Sequence, residues 1–232
     1  MQTEIIDILI FISTVICVTS SLISAMIVYR RDPASKEHHF FALFFIGIAG
    51  FVIFYLFLQD PLLKEFSYIL QLINASIAIL GLFLFYYGIT HKGSISIFKI
   101  LSFAFVLFIP PIINAIMHPF YFIEESYGFE LLIEPWYLLL ISVIYMFFVL
   151  YTIIGLLWIY FQSENQVLKR KLRYVLTGLL IMGVSGITFF AIVPIFFEIH
   201  YLKPIGYVSL ALSTLIMISA FKREKRQRTG KE

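Results

Sequence analysis

Long apolar runs separated by short polar segments make up nearly all of this chain. Seven runs are long enough to be membrane-crossing helices, at about 5–29, 38–58, 66–89, 96–118, 135–160, 172–197 and 204–221. A span needs about 20 apolar residues, at about 1.5 Å rise each, to cross about 30 Å of hydrocarbon. A transmembrane β-barrel would instead show segments of about ten residues with alternating polarity. The pattern predicts an all-α, polytopic bundle of seven transmembrane helices, each satisfying its own backbone hydrogen bonds in lipid. Residues 1–221 form this single domain and 222–232 a basic tail, so no separate soluble domain fits.

Composition agrees with that reading. The 232 residues are 61% hydrophobic and 13% charged, with a mean hydropathy of +0.95. A soluble domain carries roughly 25% charged residues. The first run is no simple signal peptide, because Glu4 and Asp7 rather than basic residues precede it and Arg30-Arg31 follow it. The single cysteine, Cys17, lies inside the first span and can form no intramolecular disulfide. It reads as a small core residue, with a redox or palmitoylation role as the alternative.

Charge sets the orientation. The segments 30–39, 90–99, 162–173 and 222–232 together hold fifteen of the 17 Lys and Arg residues and five of the 14 acids. The alternate segments hold only Lys64 and Lys203, against nine acids. Basic residues mark the cytoplasmic side. The N-terminus is therefore expected outside, the C-terminus in the cytoplasm, and the protein in the cell membrane as a multi-pass chain. An even number of spans would scatter the basic segments over both sides, so the alternation supports seven.

The span interiors narrow the chemistry. No Asp, Glu, Lys or Arg lies deep in any span. Intramembrane charges mark ion paths, proton relays and counter-ions, so a pump or proton-coupled transporter is disfavoured. The last span has no lysine for a retinal Schiff base. The histidines are His38, His39, His91, His118 and His200, and no acid lies beside His118 or His200 at ligand spacing. No metal, cofactor or catalytic residue is expected, and neither a P-loop nor a GxGxxG motif occurs. The basic excess sits in short juxtamembrane segments, which argues against nucleic acid as a partner.

Polar residues within the spans carry the remaining signal. Ser13, Cys17, Ser20, Ser21 and Ser24 share one face of span one, and Gly47, Gly50, Gly178, Gly183, Ser185 and Gly186 recur in spans two and six. Small residues let helix backbones approach closely; lining a ligand path is the alternative for the serines. Gln71 and Asn74 share a face of span three with Ala78 and Gly81. Asn114 and His118 stack one turn apart after Pro110-Pro111. Proline frees a carbonyl one turn earlier, which a polar side chain or water can satisfy, so Asn114 has a structural role open to it. All four belong to the outer half, where Tyr121 and His200 could join them. A ligand site, if these residues form one, lies there; interhelical hydrogen bonding is the alternative. The outer connection 119–134 is aromatic and acidic, and reads as an interfacial lid or an aromatic belt.

The order of these features resembles a known family. Asn114-Ala-Ile-Met-His118, then Tyr127-Gly128-Phe129, then Trp136-Tyr137 opening a long span, resembles the N-terminal seven-helix sensor region of membrane histidine kinases. Lys169 to Gly178 is similar to that family's basic loop leading into a glycine-containing sixth span. Pro204 and the basic tail after Phe221 fit its seventh span. In such kinases the seventh span leads into a dimerisation helix and an ATP-binding domain, whereas this sequence ends at Glu232. The resemblance implies a stand-alone sensory module that signals through another protein, or a family member with a repurposed bundle.

The expected function is thus sensing of a small ligand or membrane stimulus, with Gln71, Asn74, Asn114, His118, Tyr121 and His200 as the ligand residues. Lys169, Arg170, Lys171, Arg173, Lys222, Arg223, Lys225, Arg226 and Arg228 are the candidates for contact with a partner or lipid. Expected partners are membrane lipids, a cytoplasmic signalling protein and a second copy of the chain as a homodimer. For the tail, fixing orientation is the other explanation. Competing functions are a small-solute transporter, a non-catalytic scaffold subunit, and a lipid-acting enzyme, the last lacking an evident nucleophile–base pair.

Overall fold

The computed structural model describes residues 2–91, 96–125, 128–188 and 202–221. Among the described residues seven α-helices run in chain order: α1 (Gln2–Arg31), α2 (Lys36–Leu56), α3 (Lys64–Thr90), α4 (Ile97–Met117), α5 (Pro135–Gln162), α6 (Gln166–Ile187) and α7 (Lys203–Ile218). Short 3-10 turns at Phe57–Gln59 and Ser219–Phe221 extend α2 and α7. Among the described residues, six helices are long and apolar enough to cross a membrane, all but α6. The protein is a multi-pass helical membrane bundle. Of the expected sixth span, 189–197 lies outside the described residues.

Local chemistry fixes the helix ends. Ser35 Oγ accepts from the His38 amide at 3.4 Å, and Ser96 Oγ from the Lys99 amide at 3.4 Å. Asn165 Oδ1 accepts from the Val167 and Leu168 amides at 2.9 and 3.2 Å. Side-chain acceptors of this kind satisfy amides that have no partner within the helix. Because Asn165 starts α6, the basic stretch Lys169 to Arg173 lies on helical turns rather than in a loop. Pro135 opens α5, where its missing N–H costs nothing. His118 ends α4 with φ 45°, a left-handed cap.

The helices pack as a ring of α1, α2, α3, α5, α6 and α7, with α4 set against α3 and α5. The closest pair is α2 with α3. A Cβ on Gly47 would meet the Ala78 backbone and lie 2.7 Å from the Asn74 carbonyl, and one on Gly81 would lie 2.7 Å from the Phe40 carbonyl. Bare glycines at these positions are what lets the two backbones touch. The serine face of α1 is buried, with Cys17 fully enclosed in the core, and Thr214 of α7 donates to Ser20 at 3.3 Å.

One element was not anticipated. Within the connection 119–134, β1 (Phe120–Glu125) pairs antiparallel with β2 (Gly128–Ile133), Phe120 opposite Ile133 and Phe122 opposite Leu131. These four side chains share one face, which packs on Tyr68, Leu72 and Tyr137 at one end of the bundle. This hairpin end also holds Lys64 and Lys203. The Lys64 ammonium lies 5.2 Å from the Phe122 ring centre, and Lys203 donates to Tyr55 Oη at 2.9 Å. Both cations reach out of the apolar layer along aromatic rings. The opposite, basic end holds the α1–α2 and α5–α6 turns.

Candidate functional site

Pro110 and Pro111 sit inside α4 and deprive two carbonyls of their normal donors. Pro111 leaves the Leu107 carbonyl open. Ser76 Oγ of α3 lies 2.7 Å from it and takes the role of donor. Tyr145 Oη of α5 lies 2.8 Å from Ser76 Oγ, and the Leu72 carbonyl is within reach of both hydroxyls at 3.2 and 3.1 Å. One turn on, Tyr137 Oη donates to the Pro110 carbonyl at 2.7 Å. Ser76 thus replaces the donor that Pro111 removes, while Tyr137 binds a carbonyl that neither proline deprives; Ser76 and Tyr137 are fully buried there.

That arrangement bears directly on Asn114. It follows Leu107, Pro110 and Pro111 on the buried face of α4 and has no exposed surface. The carbonyl it could have served at residue 107 is already bonded to Ser76. Among the described residues its Nδ2 and Oδ1 have no hydrogen-bond partner, and neither does the buried Tyr68 Oη. Tyr68 lies in the second turn of α3, edge-on to Phe120 of the hairpin at 4.9 Å. Antiparallel packing puts both residues at the hairpin end. A buried amide without partners costs about 1–3 kcal/mol, and both groups lie toward the same end of the bundle.

The other expected site residues are dispersed. Gln71 is buried on α3. Asn74 turns toward α2, where its amide fills the space beside Gly50, and its Nδ2 donates to the Leu70 carbonyl at 2.8 Å. It works as packing and bonds back onto its own helix. His118 is exposed at the end of α4, and Tyr121 is exposed on the outer face of the hairpin. His200 lies outside the described residues. Among the described residues, no hydrogen bond links any two members of the expected set. Lys169 to Arg173 occupy the first two turns of α6, and the tail candidates Lys222 to Arg228 lie outside the described residues. Among the described residues no group of three or more His, Cys, Asp and Glu converges.

The hydroxyls of Tyr68, Ser76, Tyr137 and Tyr145 are the members that sequence reasoning passed over. A usable signal existed for one of them: Pro111 demands a donor for residue 107, and a serine in a neighbouring span is a ready source. Comparison adds no name to this arrangement, since the chain matches no protein-family model and no curated protein.

Proposed function

We propose that this protein is a sensory input module with seven spans, its N-terminus outside and its basic end in the cytoplasm. It takes up a small polar ligand under the hairpin and passes the change to a cytoplasmic signalling partner. One observation carries the reading: the fully buried Asn114 amide, unpartnered at both atoms, beside a helix break already held by other groups. A side chain that costs stability and has no structural work left is a binding group in waiting. A ligand offering one donor and one acceptor completes the amide, and Tyr68 Oη supplies a further contact. Binding there bears on α3, α4 and α5 together, so it biases the packing of α4 between two arrangements. The likeness to the sensor region of histidine kinases, together with the charge asymmetry, supports the same direction of signalling.

The test is crosslinked recovery of tagged wild-type and Asn114→Leu protein from native membranes. The expected result is a cytoplasmic kinase, cyclase or response regulator on the wild-type chain, with an activity state that Asn114→Leu changes. Solute flux through proteoliposomes of the purified chain, with no such partner recovered, overturns signalling in favour of transport.

A further inference from the structure

A second place in the fold is built to hold a ligand, at the opposite end from Asn114 and from different residues. A cavity of about 120 Å³ opens at the basic end, between the first turns of α2 and α6 and the last turns of α3 and α7. Phe85, Leu172, Val175 and Phe221 form its apolar wall, and all four are buried. Its polar residues are Glu37 and His38 from α2 and Lys171 from α6.

These three side chains are unequal. Glu37 is already engaged, because Ser35 Oγ donates to its Oε2 at 2.7 Å. It also lies in the first turn of α2, where the helix dipole favours an anion. His38 stands edge-on to Phe221 with ring centres 5.0 Å apart, and its buried Nδ1 has no hydrogen-bond partner. Lys171 is exposed at the rim. The free chemistry is therefore one cation and one unpaired ring nitrogen, a donor in the Nδ1–H tautomer, over an apolar floor.

We propose that this cavity binds a small monocarboxylate with a compact aromatic body. The carboxylate pairs with the Lys171 ammonium and accepts from His38 Nδ1–H, while the ring lies among Phe85, Val175 and Phe221. The fit is tight: an apolar cavity of about 150 Å³ takes benzene, this one is about 120 Å³, and the carboxylate sits in the open mouth rather than in the cavity. Each cavity wall comes from a different helix, so occupancy ties α2, α3, α6 and α7 together at the basic end.

Benzoate is the probe, with full-length protein in lipid nanodiscs and binding read by saturation-transfer NMR against empty nanodiscs. Saturable binding is expected, at least tenfold weaker in Lys171→Gln and absent in Val175→Phe, whose added ring fills the cavity. Lys171 is exposed, so its replacement leaves packing untouched even if Val175→Phe fails to fold. Benzyl alcohol, which keeps the ring but not the charge, binds more weakly than benzoate. Three results overturn the proposal: no saturable binding to wild type, equal binding to wild type and Lys171→Gln, or a preference for benzylamine, which makes Glu37 the anchor.

Discussion

The α1–α2–α3–α7 side of the bundle and the α4–α5 side are held together by different means. Within their most apolar windows α3 is 61% buried and α7 56%, against 22% for α4 and 11% for α5. On the first side backbones meet at Gly47 and Gly81, and contact comes mainly from van der Waals packing. On the second, hydroxyls of Ser76, Tyr137 and Tyr145 grip carbonyls at a proline break. Lipid tails are as apolar as the side chains they would replace, so burial alone draws no helix in. Close packing and polar bonds are the two remaining ways to bring helices together; the first side relies mainly on packing, with Thr214–Ser20 and Lys203–Tyr55 as added bonds, and the second on the hydroxyls at the proline break. The polar side is the looser one, and it contains the only fully buried amide without partners among the described residues.

The comparison breaks most visibly at Gly47 and Gly81. Replacing either by alanine puts a Cβ into the facing backbone. The expected cost is about 3 kcal/mol, at the upper end of ordinary overpacking, seen as a lower unfolding temperature in detergent. Gly183 is the control, because nothing lies within 4 Å of its added Cβ. Gly183→Ala should be neutral or stabilise by about 0.5–1 kcal/mol through higher helix propensity.

The polar side should respond less. Ser76→Ala leaves the Leu107 carbonyl without its donor and should cost about 1–2 kcal/mol. Tyr137→Phe removes one bond to the Pro110 carbonyl and should cost about 0.6 kcal/mol, the mean for interhelical hydrogen bonds in membranes. A double-mutant cycle between Ser76→Ala and Tyr145→Phe sharpens the contrast. Coupling is expected, because the two hydroxyls lie 2.8 Å apart. Additive effects would mean that Tyr145 acts only through the Leu72 carbonyl, 3.2 Å away.

Much of the packed side was legible in the sequence. Helices follow directly from long apolar runs, and glycines and serines at helical spacing marked the faces that meet. The polar side was legible only in part. Pro111 announced a carbonyl in need of a donor, but spacing along α4 pointed to Asn114, whereas Ser76 came from a neighbouring helix. Which helices lie side by side is not written in hydropathy. Asn74 and Asn114 looked equivalent as amides in the same half, yet one packs on Gly50 and the other is left unpaired. The hairpin was missed because six-residue runs of aromatic and aliphatic residues also suit an interfacial belt. Gly128, following a short polar break between two such runs, was the available cue.

The account turns on whether the Asn114 amide is a structural bond or a binding group. Thermal unfolding of Asn114→Leu beside wild type, in the same micelles and without ligand, tests this directly. The unpartnered amide predicts a variant at least as stable as wild type, because an apolar side chain of similar size removes a desolvation cost. A loss of more than about 1 kcal/mol would show that the amide holds the bundle together, and would contradict the site.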